Sequence, residues 1–212
     1  MAQLMGSMIS LEAKDLGKRF GRRRVFEGIR FRLENKGSLV ISGRNGSGKT
    51  TLLRVLCGLA RPTEGRAIIS HSGKELTPEQ RRNLLGLVMP DLEFYGELTA
   101  MENLLFLSRV RGSNLTRETI RERIGWMGLK DRDDDLVFSF SSGMRQRLKY
   151  AFALLNDPRV LLLDEPAANL DQEGAALVHQ VIDSQKAKGI VVIATNEQSD
   201  LRYADQNIHL GD

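Results

Sequence analysis

Short apolar segments along the chain predict the strands of a β-sheet. Each is flanked by polar residues or by glycine, which is typical of strand boundaries. These segments are residues 9–15, 26–34, 38–43, 66–70, 85–89, 160–165 and 189–196. The last two are nearly continuous apolar runs, "VLLLDE" and "GIVVIATN". Runs of this kind predict strands of a parallel sheet that is buried on both faces.

Helices are predicted between these strands. The segment 48–59, "GKTTLLRVLCGL", places its leucines at helical spacing. Thr77 and Pro78 have the residue types of an N-cap and a first helical position, so they predict the start of a short helix. Thr99 and Glu102 have the spacing of a capping box before another apolar run. Strands that alternate with helices predict the α/β class with a mostly parallel central sheet.

Between residues 92 and 157 helical patterns follow one another with no strand between them. Trp126 and Met127, in the second of these helices, are predicted to be core residues. The third helix, "SSGMRQRLKYAFALLND", has one apolar face and a basic side. The apolar face is Met144, Leu148, Ala151, Phe152 and Leu155, and the basic residues off it are Arg145, Arg147 and Lys149. The chain is therefore predicted to be one domain, 1–212, with a core of 1–91 and 158–212 and a helical subdomain of 92–157.

Length and composition restrict the number of domains, the possible partners and the cellular compartment. A chain of 212 residues suits one domain with a subdomain, and its net charge of +4 permits anionic partners without requiring nucleic acid. Cys57 is the only cysteine, so no internal disulfide forms and a reducing compartment fits. The sequence has no run of 18 apolar residues and no basic start followed by an apolar stretch. We therefore expect a cytosolic protein, or one docked to the cytosolic face of another protein.

The segment 43–51, "GRNGSGKTT", has the spacing of a phosphate-binding loop. Glycines allow backbone N–H groups to surround a phosphate chain, and the following helix adds the positive end of its dipole. Lys49 is predicted to contact the β- and γ-phosphates, Thr50 to bind Mg²⁺ and Thr51 to bond the α-phosphate. The predicted nucleotide-binding residues here are Gly43, Arg44, Asn45, Gly46, Ser47, Gly48, Lys49, Thr50 and Thr51. A flexible turn before an ordinary helix is the alternative, and the preceding strand and following helix argue against it.

Two acidic residues, Asp164 and Glu165, end the apolar strand "VLLLDE". Strand ends in open α/β sheets face the ligand crevice. Asp164 is therefore predicted to hold Mg²⁺, and Glu165 to act as the general base that polarises the attacking water. A solvated turn with a helix-capping role is the alternative.

Upstream, the run Arg22, Arg23 and Arg24 predicts a hairpin turn that is either a solvated loop, an aid to nucleotide binding or a contact with an anionic surface.

The segment 140–144, "FSSGM", resembles the signature motif of ATP-binding cassette (ABC) ATPases. Ser141 and Gly143 match that motif, and Phe140, Ser142 and Met144 depart from it. The segment 164–171, "DEPAANLD", is similar to the family's acidic strand end and the loop after it, and the likeness covers nearly all of 9–210. The resemblance implies that Ser141, Ser142 and Gly143 meet the γ-phosphate held by another subunit. A serine N-cap on an amphipathic helix is the alternative.

Further residue roles follow from the resemblance. Phe20 occupies the place of an aromatic that stacks on adenine, and Val25 would pack on the other edge of the base. Asn196 stands where the family has a histidine, and an amide donates a hydrogen bond without imidazolium charge, so we expect contact with ATP but slower hydrolysis. The family's glutamine has no match; Asp91 is the nearest equivalent as a nucleotide and Mg²⁺ ligand, with Pro90 and Glu93 as alternatives.

The likeness implies a P-loop NTPase of ABC type, an α/β fold with an N-terminal antiparallel portion and an inserted helical subdomain. It implies an ATP-hydrolysing transporter subunit, a homodimer or a heterodimer with a related ATPase, that uses ATP and Mg²⁺. It would drive a transmembrane permease from the inner face of the cell membrane, with no nucleic acid partner. Residues 92–157, with Phe94 and Tyr95, are the expected dock. A narrower likeness is to haem exporters of cytochrome c maturation. The alternatives are a soluble ABC protein acting on ribosomes or DNA, and a weakly hydrolysing regulatory ATP binder.

Overall fold

The computed structural model describes residues 8–211, so residues 1–7 and 212 of the predicted domain lie outside the description. The strands are β1 Ile9–Phe20, β2 Arg23–Glu34, β3 Ser38–Gly43, β4 Glu64–His71, β5 Lys74–Glu75, β6 Leu85–Val88, β7 Val160–Asp164, β8 Ile190–Thr195 and β9 Gln206–Leu210. The helices are α1 Lys49–Leu56, α2 Pro78–Leu84, α3 Ala100–Val110, α4 Arg117–Trp126, α5 Ser142–Ala153 and α6 Gln172–Lys188. Two short 3-10 helices span Val137–Ser139 and Gln198–Tyr203.

The strands form two sheets. The central sheet has the order β6-β7-β8-β3-β9, and each of its neighbouring pairs is parallel. The second sheet has the order β2-β1-β4-β5 and is antiparallel. Helices α3, α4 and α5 lie along the chain between β6 and β7. The predicted fold class, with its antiparallel N-terminal portion and inserted helices, is confirmed.

The central sheet is buried on both faces, and its strands alternate between two hydrophobic clusters. In β7, Leu161 and Leu163 pack with the helices α3 to α5, whereas Val160 and Leu162 pack with α1 and the antiparallel sheet. All four side chains are fully buried. A continuous apolar run is what such a strand requires, because neither face meets water.

Helix α5 contacts the central sheet at its C-terminal end. A Cβ atom on Gly86 of β6 would lie 2.7 Å from the carbonyl oxygen of Ala153 and 2.9 Å from Cγ of Pro158. Only hydrogen fits between the strand and the end of this helix, so the absence of a side chain at Gly86 permits the contact. At the other end, Ser141 caps α5 and accepts a hydrogen bond from the backbone N–H of Met144 at 3.2 Å.

The first two strands are longer than the sequence pattern predicts. Strand β1 continues to Phe20 through register shifts between Ala13 and Leu16 and between Leu16 and Lys18. Such bulges interrupt the alternation of polar and apolar residues without ending the strand. Arg23 is consequently the first residue of β2 and is not part of the turn.

Two predictions of burial in the helical lobe are wrong. Trp126, expected in the core, is 43% exposed, whereas Met127 is 1% exposed as predicted. Helix α4 ends at Trp126, and Met127 takes the inward position in the turn that follows. Lys149, expected off the apolar face of α5, is only 9% exposed. Its ammonium donates hydrogen bonds to the backbone carbonyls of Met89 and Pro90, which satisfies the buried charge.

Candidate functional site

The loop between β3 and α1 depends on glycine at several positions. Gly43 has φ 148°, and a Cβ there would lie 2.2 Å from the carbonyl oxygen of Leu210. Gly48 has φ 104°, and a Cβ would lie 2.3 Å from Cγ1 of Val25. Gly48 also caps α1 without a side-chain hydrogen bond to the first turn. The first N–H groups of α1 therefore keep their capacity to bind an anion, assisted by the helix dipole.

Lys49 places a positive charge at the mouth of this loop. Its side chain is almost fully buried, and its Nζ donates to the carbonyl oxygens of Gly43 at 2.8 Å and Arg44 at 3.3 Å. The same Nζ lies 3.4 Å from Oε1 of Glu165. A compact ammonium held by two carbonyls is a fixed point charge, suited to a phosphate that enters the loop.

Asp164 provides an unsatisfied acceptor next to the loop. It ends β7, is 2% exposed, and its Oδ2 has no hydrogen-bond partner among the described residues. Burial raises the pKa of Asp164, while a hydrogen bond from Thr50 and the charge of Lys49 oppose that shift. An orphaned carboxylate oxygen beside a hydroxyl fits a hard divalent cation. Mg²⁺ retains several waters and phosphate ligands, so two protein ligands are sufficient.

Glu165 follows β7 in a left-handed backbone conformation, with φ 49°. Its N–H donates to the carbonyl oxygen of Ala194 at 2.8 Å, which fixes the turn against β8. Its Oε2 accepts a hydrogen bond from the N–H of Asn196 at 3.4 Å. The amide of Asn196 in turn donates to Oδ1 of Asn45 in the phosphate-binding loop at 3.3 Å. Strand ends and loop thus bring Lys49, Glu165 and Asn196 together, although they are distant in sequence.

These residues surround a cleft of about 740 Å³. The predicted site residues that line it are Phe20, Val25, Asn45, Gly46, Ser47, Gly48, Lys49, Thr50, Thr51, Asp164 and Glu165. Phe20 is 59% exposed at the edge of the cleft, so one face of its ring is available to a ligand. Asn196 lines an adjoining cavity that shares Asn45 and Glu165 with the cleft. Gly43 and Arg44 line a third cavity, although their carbonyls bind Lys49.

Two further groups of predicted residues lie farther from the cleft or line no cavity that adjoins it. Asp91 forms an ion pair with Arg54 at 2.7 Å and lines a separate cavity, while its neighbour Pro90 lines the cleft. The predicted signature residues Ser141, Ser142 and Gly143 lie at the exposed start of α5 and line none of these cavities. A Cβ on Gly143 would lie 3.2 Å from the carbonyl oxygen of Asn169, so the start of α5 adjoins the loop after β7.

The arginine run 22–24 has three possible roles from its sequence, and two of its residues contribute to the cleft. Arg23 and Arg24 line the cleft beside Phe20, and Arg24 also forms an ion pair with Glu27. This placement favours the interpretation that the arginine run assists nucleotide binding. The closeness in sequence of Phe20 and the arginines was the available indication, since a two-residue turn returns β2 alongside the end of β1.

The chain is similar to known proteins of one family. A family model described as "ABC transporter" matches residues 26–168. "Cytochrome c biogenesis ATP-binding export protein CcmA" of Alkalilimnicola ehrlichii is 37% identical over 190 residues, covering 89% of this chain and 80% of that protein. "Uncharacterized ABC transporter ATP-binding protein YybJ" of Bacillus subtilis is 33% identical over 191 residues, covering 90% of this chain and 86% of that protein.

Solved structures agree with the fold. A dimeric post-hydrolysis state of the ATP-binding cassette MJ0796, bound to ADP and Pi, has a TM-score of 0.82 at 23% identity and covers 94% of both chains. An ATP-binding subunit of an ABC transporter has a TM-score of 0.79 at 28% identity, covering 94% of this chain and 85% of that one.

The chain belongs to the ABC transporter family. It is an ATP-binding subunit of that family and an ATPase. Among residues 8–211, no helix combines the length and the apolar character that crossing a membrane requires.

Proposed function

We propose that two copies of this chain, or one copy and a related ATPase, close around two Mg²⁺–ATP molecules and thereby drive a separate transmembrane permease. The observation that carries this proposal is the separation of the two phosphate-binding elements. The cleft at α1 contains Lys49, Asp164 and Glu165, whereas the start of α5 at Ser141 lies outside it. One chain therefore offers two incomplete halves, and a second chain completes each.

Within each cleft we assign roles from the contacts described above. Phe20 and Val25 would hold the adenine, and the N–H groups of the loop with Lys49 would hold the phosphates. Thr50 and Asp164 would hold Mg²⁺, which when bound neutralises charge on the β- and γ-phosphates. The unpaired Oδ2 of Asp164 supports this assignment. Asp91 stays a predicted ligand, and it would have to leave Arg54 to reach the metal.

Glu165 is the proposed general base. Its carboxylate is oriented by Lys49 at Oε1 and by the N–H of Asn196 at Oε2, so each oxygen has one partner. In this position it would accept the proton of the water that attacks the γ-phosphate. Asn196, bonded to Asn45, would donate a neutral hydrogen bond to that phosphate. The missing imidazolium charge supports the prediction of slow hydrolysis.

The proposed permease would dock on exposed aromatic residues of the helical lobe. Tyr95 and Phe106 are 54% and 45% exposed and meet edge to face, with ring centroids 5.6 Å apart. Phe138, 69% exposed, adjoins Gly96 and extends the same surface. Phe94, the other aromatic predicted for docking, instead packs edge to face on Phe152 inside the lobe. Grouped exposed aromatics are typical of protein interfaces, which supports a peripheral location at the inner face of a membrane.

The relatives do not select one cargo. Proteins named for cytochrome c biogenesis and for lantibiotic transport match this chain at 37% and 30% identity. The property they share with this chain is the ATP-binding subunit. Cargo recognition is therefore assigned to the permease, and the proposal for this chain concerns the ATP-driven step alone.

The test compares the wild-type chain with Glu165→Gln. We expect phosphate release to fall by about 10²–10⁴-fold, since that is the usual contribution of a general base. With Mg²⁺–ATP the variant should sediment as a dimer, because closure is no longer followed by hydrolysis. Glu118→Gln, which alters an exposed carboxylate in the first turn of α4, is the control and should behave as wild type.

Three results would contradict the proposal. A Glu165→Gln protein that stays monomeric with Mg²⁺–ATP, even with its membrane partner present, rules out the shared site. Wild-type protein that binds ATP but releases phosphate no faster than Glu165→Gln would be a regulatory ATP binder. Copurification with ribosomal RNA in place of a multi-span membrane protein would identify a soluble ABC protein that acts on ribosomes.

A further inference from the structure

Lys149 connects the helix that begins at Ser141 to the wall of the nucleotide cleft. It lies eight residues after Ser141 on α5, a little over two helical turns along. Its Nζ donates to the carbonyl oxygen of Pro90 at 2.8 Å and to that of Met89 at 3.2 Å. Met89 and Pro90 directly follow β6, and Pro90 lines the cleft together with Thr50.

The packing of the core does not require a lysine at this position. A buried ammonium is unfavourable unless polar groups compensate it, and burial lowers the pKa of Lys149. The carboxylates of Glu93 and Asp91 favour its charge, and Arg145 on the same helix opposes it. Because an ammonium has several donors, it bonds two successive carbonyls at once. The helix and the segment after β6 are therefore held to each other by polar bonds as well as by apolar contacts.

Pro90 connects the hydrogen bonds of Lys149 to the nucleotide cleft. A proline has neither an N–H group nor a polar side chain, so only its ring and its carbonyl are available for contacts. The carbonyl bonds to Lys149, while the residue lines the cleft. A displacement of this wall when nucleotide enters would consequently pull on α5 through a hydrogen bond of 2.8 Å.

We propose that Lys149 is a positioning residue that couples nucleotide in its own cleft to the orientation of α5, and so to the ATP site of the second copy. The inference rests on the proposed function, because the start of α5 is assigned there to the partner's γ-phosphate. Lys149 itself does not line the cleft. Its expected effect is on closure of the dimer and not on the binding of ATP to a single chain.

The experiment uses Glu165→Gln protein as the parent and adds Lys149→Met, which keeps the aliphatic stem and removes the donors. Fluorescent ATP titration at low protein concentration measures binding to the single chain, and sedimentation with Mg²⁺–ATP measures the dimer. We expect ATP affinity to stay within about threefold and the dimer to weaken by about tenfold or more. Melting temperature checks that the variant is folded.

Lys186→Met is the matched control. Lys186 also donates to a backbone carbonyl, that of Tyr203, at 2.8 Å, but it joins α6 to the 3-10 helix that follows β8. This variant loses a lysine–carbonyl bond of the same kind and should leave dimer affinity unchanged. If Lys149→Met does not fold, Lys149→Gln keeps an uncharged N–H₂ donor group on a shorter side chain and should weaken the dimer by about threefold or more.

The outcomes separate the two proposals. A folded Lys149→Met or Lys149→Gln protein that dimerises as well as its parent overturns the coupling role. Equal losses of single-chain ATP affinity and dimer affinity would also overturn it, because Lys149 would then only shape the pocket. A parent that never dimerises overturns the proposed function, and with it this inference, before any change at Lys149 is made.

Discussion

Helices α1 and α5 each follow a small N-cap residue, and the start of each is proposed to bind phosphate. The two starts differ in the residues that surround them. Gly48 precedes α1 in a left-handed conformation, with φ 104° and no side-chain cap. Lys49 is the first residue of that helix, and Asp164 and the adjacent Glu165 line the same cleft from the end of β7. Ser141 precedes α5 in an extended conformation, with φ −62° and ψ 166°, and its own hydroxyl accepts the N–H of Met144.

This difference in capping and surroundings determines how each helix start could bind phosphate. The first N–H groups of α1 lack a side-chain cap, and the residues proposed for ATP hydrolysis lie around them. The start of α5 is already capped and exposed to solvent, and among residues 8–211 neither Lys49, Asp164 nor Glu165 bonds to its cap. A capped helix start that also binds phosphate must release or share its N–H groups when a ligand arrives. We therefore expect changes at the start of α5 to affect ATP turnover only through the dimer, and changes around α1 to affect a single chain as well.

Among the variants that compare the two helix starts, the largest effect is expected for Ser141→Ala. Loss of the cap costs about 1 kcal/mol of stability, and loss of a donor to the partner's γ-phosphate lowers kcat by about 10²-fold. Thr99→Ala is the control, because Thr99 caps α3 in the same lobe through an analogous bond to the N–H of Glu102 at 3.1 Å. It should lower the melting temperature similarly and leave kcat unchanged. Equal kcat values for the two variants would reduce Ser141 to an ordinary cap.

A smaller effect is expected for Asn196→His, which alters the α1 half. An imidazolium makes a charge-assisted bond to phosphate where the amide makes a neutral one, and a gain of about 1 kcal/mol corresponds to about fivefold faster turnover. Steady-state phosphate release below pH 7 measures it. Asn207→His, on β9 and facing the neighbouring cavity, is the control. Unchanged turnover in Asn196→His would contradict the assignment of position 196 to the γ-phosphate.

The smallest effect concerns the stability of a single chain without Mg²⁺. Because burial raises the pKa of Asp164 above its usual 3.8, ionisation costs more in the folded state, and stability is lost as the pH rises through that raised pKa. At pH 7 with EDTA, Asp164→Asn should therefore unfold at a temperature higher by about 2–4 °C, for about 1 kcal/mol. Below pH 3.8 the advantage should vanish.

Asp183→Asn, an exposed change on α6, provides the comparison for this melting experiment and should alter the unfolding temperature little at either pH. Addition of Mg²⁺–ATP should reverse the order, since the wild-type carboxylate then has its cation and the amide does not. An Asp164→Asn protein that is less stable than wild type in EDTA would show that the unpaired oxygen is satisfied in another way.

Much of the fold and of the α1 half was predictable because local chemistry determines it. The strand before Gly43, the helix after Gly48 and the acidic end of β7 are each specified by a few adjacent residues. Thr77 caps α2 and a capping box is present at Thr99, as the residue types and the spacing predicted. These features depend on backbone geometry within one turn or one strand, which the order of residue types reveals.

Features that depend on distant contacts were not predictable. Lys149 has a surface residue type at a buried position, and only the carbonyls of Met89 and Pro90, some 60 residues earlier in the chain, explain it. Strand β1 continues past Asp15, at φ 51°, because the bulge is held against Gly65 of β4, where a Cβ would lie 2.2 Å from the carbonyl oxygen of Asp15. The placement of Asp91 on Arg54 likewise follows from a pairing that no local pattern encodes.

The close contact at Gly86 gives α5 the geometry of a lever. The helix is fixed where Ala153 meets the strand, and its twelve residues extend about 18 Å to the exposed start at Ser141. A tilt of about 10° around the fixed end would displace that start by about 3 Å, the length of one hydrogen bond. A methyl group in place of the hydrogen at Gly86 would shift the pivot itself. If the proposed dimer forms, the reach of one subunit toward the other would thus depend on Gly86, a strand residue that does not line the cleft.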